Sequence, residues 1–343
     1  MSSKVLVTGH LGYVGTVLTP HLASRGWQVV GADIDLYSAC GIAEQPSGPP
    51  CPVADFRDIK PADLDDCDAV VHLAGLSNDP LGELDPDMTH AINHRAVPRL
   101  AERARSAGVR RFIAASSCSV YGSGKGDDWL DENAACNPLT AYAESKLAME
   151  RDLLELATSD FEVVILRPGT VFGFSPRLRF DLVVNNMIAW ALATGRLHLK
   201  STGNAWRPLL HVADLARAIG HLLELPGPAL CEQVFNIGFN PLNLQVIDLA
   251  KRLCSAMPEV DLHFADDAEP DSRSYRVDCS RLTRLLDDWS PAFQPESAVD
   301  ELRPVIIHRQ LGVEQFEGPE LARVAHLRML LESGRVDHRL RRG

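Results

Sequence analysis

The chain has 343 residues, of which 45% are hydrophobic and 23% charged, a composition typical of globular proteins with one large domain or a main domain and a smaller lobe. Its 34 basic and 46 acidic residues give a formal net charge of −12, which argues against a protein that coats nucleic acid through clustered Lys and Arg. Because no apolar run approaches the roughly 20 residues that span a bilayer and no signal-peptide pattern opens the chain, we expect no membrane partner and a cytoplasmic location.

The eight cysteines are scattered and form no C-x-x-C pair. This distribution is typical of reduced thiols in a cytosolic protein, and the spacing predicts no metal site.

The first 170 residues alternate short apolar runs with longer amphipathic segments. We predict strands at 5–7, 28–33, 69–73, 111–115 and 162–166, and helices at 12–24, 86–106 (kinked at Pro98) and 140–157. This rhythm predicts a parallel sheet with helices on both faces.

After about residue 175 the rhythm breaks, and glycine and proline become more frequent. Short strands at 197–199 and 206–211 alternate irregularly with helices at 212–223 and 244–255. We interpret this part as a smaller α/β lobe that carries substrate contacts.

Three glycines recur at every third position between the first predicted strand and helix: Gly9, Gly12 and Gly15. Such a turn presents the backbone N–H groups of a helix N-terminus to a phosphate. Asp33 closes the second strand, where an acidic group accepts hydrogen bonds from an adenosine ribose and repels the extra phosphate of NADP; Asp35 is the less favoured alternative. The pattern predicts an NAD site on a Rossmann-type, doubly wound parallel sheet.

Tyr142 and Lys146 lie at i and i+4 of the helix predicted at 140–157, and therefore on one face. A phenol near pKa 10 is a poor base at neutral pH, and an adjacent ammonium together with the positive nicotinamide ring would lower that pKa. Lys146 can also reach the cofactor ribose. Ser117 ends the preceding strand, where parallel sheets present catalytic side chains.

The G-x-x-G-x-x-G spacing and a series of later motifs resemble the extended short-chain dehydrogenase/reductase superfamily, in its branch of nucleotide-sugar epimerases and dehydratases. The resemblance runs from residue 4 to about residue 290. The later motifs are Asp55-Phe56-Arg57-Asp58, His72-Leu73-Ala74-Gly75, Asn93, the Ser116-Ser117 segment that leads to Tyr121-Gly122, Tyr142 with Lys146, Arg167-Pro168-Gly169-Thr170, Arg207 through His211 to Asp214, and Asn236-Ile237-Gly238.

The resemblance implies NAD as cofactor and a homodimer through the helices at 86–106 and 140–157. The implied cofactor-binding residues are Gly9, Gly12, Tyr13, Val14, Gly15, Asp33, Asp55, Phe56, Leu73, Ala74, Gly75, Asn93, Ser116, Tyr142, Lys146 and Pro168.

The resemblance also implies the catalytic residues Ser117, Tyr142 and Lys146, with Ser117 holding a sugar hydroxyl while Tyr142 takes its proton and hydride goes to NAD. Dehydratases of this family carry an Asp-Glu pair directly after the Ser/Thr, whereas Cys118 and Ser119 stand here. A 4,6-dehydratase is therefore disfavoured, and we predict epimerisation, with C4 as the favoured carbon. An NAD(P)H-dependent nucleotide-sugar 4-ketoreductase stays open as an alternative, and a non-catalytic dinucleotide sensor is the least favoured because the Tyr/Lys pair is present.

For a nucleotide-diphosphate sugar substrate, Arg207 leads the candidates for the diphosphate, followed by Arg273 and Arg276, because arginine forks suit phosphate oxygens. Cys118 is either an acid/base or, as we favour, a small buried thiol. The complete predicted substrate-binding set is Ser77, Asn78, Ser117, Cys118, Ser119, Tyr142, Thr170, Arg207, Arg273 and Arg276.

We predict three parts of the chain. Residues 1–174 form the NAD-binding domain with the catalytic Ser, Tyr and Lys, and residues 175–312 form mainly the substrate lobe, with some chain returning to the first domain. Residues 313–343 form a helical tail, which we expect to be solvated with a frayed end.

Overall fold

The computed structural model describes residues 3–43, 48–123, 128–226, 230, 233–269, 271, 273–287 and 289–342. The strands in these ranges are β1 (Lys4–Thr8), β2 (Gln28–Ala32), β3 (Ala69–His72), β4 (Arg111–Ala115), β5 (Trp129–Leu130), β6 (Glu162–Pro168), β7 (Thr170–Phe172), β8 (Arg196–Ser201), β9 (Trp206–His211), β10 (Gln233–Ile237), β11 (Asn243–Gln245), β12 (Asp261–Glu269) and β13 (Arg276–Val277).

The α-helices of the described residues pack around these strands. They are α1 (Gly15–Ser24), α2 (Asp79–Gly82), α3 (Pro86–His90), α4 (Ala96–Ser106), α5 (Ala141–Leu154), α6 (Val183–Thr194), α7 (Val212–Glu224), α8 (Val246–Ala256), α9 (Ser280–Leu285), α10 (Ser297–His308), α11 (Val313–Glu317) and α12 (Arg323–Glu332).

A six-stranded parallel sheet in the order β10-β6-β4-β3-β1-β2 organises the first half of the chain. Its strands are buried on both faces, which explains their near-continuous apolar runs. β1 pairs with β2 on one side and β3 on the other, so the chain order reverses here and a crevice opens at the carboxyl ends of the strands. The predicted α/β, Rossmann-type doubly wound sheet is confirmed, and β10 joins it from the second half.

The second half builds smaller sheets, β11-β9-β7 and β12-β8, with α6, α7 and α8 packed nearby. The strands predicted at 197–199 and 206–211 and the helices predicted at 212–223 and 244–255 are present as β8, β9, α7 and α8. This part faces the carboxyl edge of the central sheet, and β7 continues directly from β6 into it.

The helix predicted at 86–106 is interrupted, but not by a kink at Pro98. Between α3 and α4, residues Ala91–Arg95 form a π-helical turn. Pro98 has no N–H to donate to the carbonyl of His94, and the wider turn directly precedes this missing donor. The irregularity therefore falls on the turn that carries Asn93.

The expectation of a solvated C-terminal tail with a frayed end is wrong. Leu327, Leu330, Val336 and Leu340 are at most 7% exposed and belong to the same apolar cluster as Phe112 of β4. The numerous arginines of this segment suggested solvation, but its few apolar side chains share one face and bury it against the first half of the chain.

The cysteines among the described residues are free thiols, and Cys231 lies outside those residues. The same part of the chain contains no His/Cys/Asp/Glu group suited to a metal ion, and none of its helices is long and apolar enough to cross a membrane.

Candidate active site

A cavity of about 840 Å³ opens at the carboxyl edge of the central sheet and extends to the smaller sheets. All predicted site residues line it except Asn93, Cys118 and Arg276. The turn after β1, the loops after β2 and β3, and the ends of β4 and β6 thus converge on one space with residues from β7, β8 and β9.

The glycine turn has the shape of a phosphate cradle. Gly9 adopts a φ of +74°, and a Cβ there would lie 2.7 Å from the backbone nitrogen of Ala74. A Cβ at Gly15 would lie 2.2 Å from the carbonyl oxygen of Gly9, so the turn closes tightly onto the start of α1. The α1 N-terminus consequently faces the cavity, and the turn fits a dinucleotide pyrophosphate.

Asp33 stands beside this turn with an ordered carboxylate. It accepts hydrogen bonds from the backbone N–H of Leu11 at 3.0 Å and of Asp35 at 2.8 Å. Burial raises the pKa of Asp33, and these two N–H groups act in the opposite direction. The Asp35 carboxylate is instead paired with Arg177 at 2.8 Å, so Asp33 is the better placed of the two for a ribose.

Asn93 lies behind the cavity wall. It is fully buried, its Oδ1 accepts from the N–H of Leu76 at 2.8 Å, and its Nδ2 donates to the carbonyl of Leu76 at 2.9 Å. The predicted direct contact with the cofactor is therefore corrected to a positioning role, in which Asn93 holds the Gly75–Leu76 turn that lines the cavity.

Tyr142 and Lys146 project from α5, which begins after the N-cap Thr140. They are 7% and 5% exposed, and both line the cavity. Lys146 Nζ donates to the carbonyl of Ala115 at 2.8 Å, and the Ser117 hydroxyl is close enough to act on the pKa of Tyr142. The structure thus brings together the three residues predicted to be catalytic.

The pKa of Tyr142 departs from the expectation. Burial raises the pKa of the phenol to about 12, although the hydrogen bond with Ser117 acts the other way. Burial also lowers the pKa of Lys146 to about 8, against the effect of Glu150. In the protein alone, Lys146 does not offset the burial of the phenol; the lowered pKa expected from Lys146 together with the nicotinamide charge stays a prediction.

The two adjacent serines have different environments. Ser116 Oγ donates a hydrogen bond to the Glu150 carboxylate. The same carboxylate accepts hydrogen bonds from Nε and Nη2 of Arg167 at 3.0 and 2.6 Å. Ser117 Oγ instead lies 3.1 Å from Ser119 Oγ at the cavity surface. Ser116 is therefore tied to a buried ion pair, while Ser117 faces Tyr142.

Two predicted substrate contacts lie outside the cavity. Cys118 is 1% exposed, donates through Sγ to the carbonyl of Arg167 at 3.2 Å, and has a pKa raised by burial. Arg276 stacks its guanidinium over the rings of Trp129 and Trp206, 5.1 and 4.9 Å from their centroids. Cys118 is thus the buried thiol that we favoured, and Arg276 is engaged by aromatic packing.

Arg207 and Arg273 come from separate segments and meet at one place in the cavity. Asp271 lies 2.5 Å from Arg207 Nη2 and 3.1 Å from Arg273 Nε. Arg273 Nη1 also contacts Asp79 at 2.8 Å, and Arg207 donates to the carbonyl of Arg273. These carboxylates hold two guanidinium groups side by side in the cavity.

Two further cavity residues were missed by sequence reasoning. Arg179 donates to Ser77 Oγ at 3.1 Å and pairs with Asp181 at 2.6 Å, and its charge acts on the pKa of Tyr142. Tyr275 is 8% exposed and shares a hydrogen bond with Ser119. Arg179 carries no motif signal, whereas Tyr275 could have been found from its place between the candidate arginines Arg273 and Arg276.

The doubly wound sheet, the glycine turn, Asp33 and the Tyr142–Lys146 pair are together the features of a Rossmann-type dinucleotide enzyme. The profile of the NAD dependent epimerase/dehydratase family matches residues 5–238, and the chain belongs to that family. Its cofactor is NAD, which the glycine turn and Asp33 fit.

Several known proteins are similar to this chain over most of its length. A UDP-glucose 4-epimerase of Mycolicibacterium smegmatis is 29% identical over 308 residues, which are 84% of this chain and 93% of the relative. A dTDP-D-glucose 4,6-dehydratase of Mus musculus is 26% identical over 321 residues, 87% of each. The structure of MoeE5 in complex with UDP-glucuronic acid and NAD is 26% identical with a TM-score of 0.75, covering 90% of this chain and 100% of that one.

Proposed function

We propose that this protein is an NAD-dependent epimerase of nucleotide-diphosphate sugars that inverts a hydroxyl-bearing carbon, with C4 favoured. The observation that carries the proposal is the meeting of Ser117, Tyr142 and Lys146 in a cavity that also holds paired arginines. The similar UDP-glucose 4-epimerase supports the same substrate class.

The residues of the chain divide the reaction among them. Ser117 holds the sugar hydroxyl, and Tyr142 in its phenolate form accepts the hydroxyl proton as the carbon loses hydride and becomes a ketone. NAD, when bound on the glycine turn, supplies the hydride acceptor and donor. After the sugar presents its other face and hydride returns to the carbon, Tyr142 gives the proton back, so the product has the same mass as the substrate. Lys146 keeps a positive charge beside the phenol.

The carboxylates around Tyr142 disfavour dehydration. No carboxylate follows Ser117, because Cys118 and Ser119 stand there. Asp79, Asp181 and Asp271 line the cavity, but each is held by an arginine. Although burial acts the other way, the arginines lower the pKa of Asp181 and Asp271, so these two carboxylates are poor proton donors at neutral pH.

The substrate is proposed to lie along the second part of the cavity. Arg207 and Arg273 would bind the diphosphate through the N–H donors that Asp271 and Asp79 leave unused. Ser77, Asn78 and Thr170 would face the sugar, since all three line the cavity.

The test is to incubate the purified protein with UDP-, dTDP- and GDP-hexoses and no added cofactor, and to analyse the products by chromatography and mass spectrometry. We expect an isomer of unchanged mass, formed by the wild type and reduced by about 100-fold or more in Tyr142→Phe, the range typical of a lost acid/base group. A product that has lost water would show a dehydratase. Oxidation of NADH with a 4-keto sugar and no isomer would show the ketoreductase.

A further inference from the structure

The C-terminal segment after α12 reaches the adenosine half of the cofactor site. It lies beyond residue 238, where the family match ends. Leu340 is 1% exposed and lines the cavity. Asp55 and Phe56 line it too, and in the family that this chain resembles the Asp-Phe-Arg-Asp segment is the one expected to meet the adenine. The apolar wall of this part of the cavity is therefore completed from the end of the chain.

The same segment holds the loop that carries Asp55. Arg57 binds the Asp55 carboxylate with Nε at 2.9 Å and Nη2 at 2.6 Å, and its Nη1 donates to the carbonyl of Arg339 at 2.7 Å. Arg341 pairs with Asp58 at 2.5 Å and lies 3.4 Å from Asp55. The orientation of the Asp55 carboxylate thus depends on contacts with the C-terminal segment.

The loop after β2 is held from the same side. Asp35 adopts a φ of +49°, its carboxylate pairs with Arg177, and its carbonyl accepts from Arg342. At the start of α12, which precedes the segment, Arg323 places its guanidinium 4.7 Å from the ring centroid of Tyr37, another residue of the cavity wall. The segment therefore contacts both loops that border the predicted adenosine site.

The end of the segment is itself built as a fixed turn. Leu340 has a φ of +54°, a conformation that residues with a side chain rarely adopt. Asp337 stabilises it by accepting from the backbone N–H groups of Arg339 and Arg341, each at 2.8 Å. A leucine held in this conformation against the cavity is a preorganised contact surface.

We propose that residues 336–342 form one wall of the adenosine subsite of the NAD site. Leu340 supplies an apolar surface for the adenine ring, and Arg341 with the Arg339 carbonyl fixes Asp55 for hydrogen bonds to the adenosine. The inference concerns cofactor binding only and is independent of which sugar reaction the enzyme performs.

The test measures the affinity of NAD-free protein for NAD and for its two halves, ADP-ribose and nicotinamide mononucleotide, by isothermal titration calorimetry. Leu340→Ala and Arg341→Ala are each expected to weaken NAD and ADP-ribose by about tenfold, through lost apolar contact and a released Asp55, and to leave nicotinamide mononucleotide unchanged. Leu340→Met, which keeps the apolar surface, is expected to retain wild-type affinity. Arg328→Ala, on the exposed face of α12, is the matched control.

Affinities of Leu340→Ala and Arg341→Ala within twofold of wild type would overturn the proposal. So would an equal loss for ADP-ribose and nicotinamide mononucleotide, because it would indicate general loosening of the fold. Arg341 is 39% exposed, so its variant is expected to fold even if the smaller side chain at position 340 is not tolerated. Failure of the sugar assay leaves these binding results interpretable.

Discussion

Lys146 is buried in a site that disfavours its charged ammonium form. Burial lowers its pKa from 10.5 to about 8, while the same helix buries the Tyr142 phenol and raises that pKa to about 12. The folded protein therefore holds an ammonium close to its titration point beside a phenol that resists ionisation. A group with a function can retain such an environment at a cost in stability.

Lys146→Met is predicted to stabilise the protein at neutral pH while abolishing turnover. Between pH 8 and 10.5 the unfolded chain binds more protons than the folded one, so the contribution of Lys146 to stability rises with pH across this window. Below pH 8 the folded state bears the whole cost of burying the charge, about 3 kcal/mol at 1.36 kcal/mol per pKa unit. The variant avoids this cost but loses the hydrogen bond from Lys146 to the carbonyl of Ala115. We therefore expect the Tm of Lys146→Met to exceed that of the wild type by about 3 °C at pH 7, and this difference to vanish near pH 10.5.

Thermal melts of both proteins from pH 7 to pH 10.5 check this. Lys251→Met is the control, because its side chain is 64% exposed and its removal is expected to give no such pH dependence. A Lys146→Met protein that is less stable at pH 7, or a difference that does not change with pH, would show that burial does not disfavour the ammonium.

At the scale of elements, the π-helical turn between α3 and α4 contacts the loop after β3 through the side chain of Asn93. Its wider path coincides with the position of Asn93, whose amide spans the N–H and C=O of Leu76. Leu76 is 3% exposed, so water is a poor substitute for those bonds. The two hydrogen bonds of Asn93 therefore fix the backbone of Leu76 and, next to it, Gly75 in the cavity wall.

Asn93→Ala is predicted to reduce the free energy of unfolding by about 2 to 4 kcal/mol, because two buried backbone groups lose their partners. We also expect weaker NAD binding, since the Gly75–Leu76 turn is released. Urea unfolding and calorimetric titration measure the two effects. Asn133→Ala at an exposed position is the control, and an Asn93→Ala protein as stable as this control would contradict the positioning role.

The elements differ in how far sequence could predict them. The strands of the central sheet and the glycine turn follow from local patterns, since apolar runs and glycine spacing reflect short-range geometry. Arg179 and Leu340 enter the cavity only through contacts between segments distant in sequence, and no local pattern reports those, whereas Tyr275 could have been found from the candidate arginines on either side of it. The burial of the arginine-rich tail was not predicted for a different reason. Its many arginines raise the average polarity of the segment and obscure a narrow apolar face.

For the whole molecule, the predicted homodimer stays a prediction, but the structure specifies what its interface would contain. The apolar residues of α4, including Val97 and Leu100, are buried within the chain. Apart from Ser106, the exposed residues of α4 and α5 are charged: Arg99, Glu102, Arg105, Glu144, Arg151 and Asp152. A dimer through these helices would therefore depend on ion pairs between the two copies.

We predict that such a dimer dissociates as salt is raised, because exposed ion pairs are screened once the Debye length falls from about 14 Å near 0.05 M to about 4 Å near 0.5 M. Sedimentation velocity at these two salt concentrations checks the mass. Arg99→Glu should weaken the dimer at low salt, whereas Arg309→Glu, exposed beyond α10, should not. A dimer unaffected by salt and by Arg99→Glu would place the interface elsewhere, and a monomer at low salt would exclude pairing through this face. The charged exterior of α4 and α5 makes salt dependence the sharpest criterion, because salt screens exposed ion pairs but does not weaken an interface formed by apolar residues.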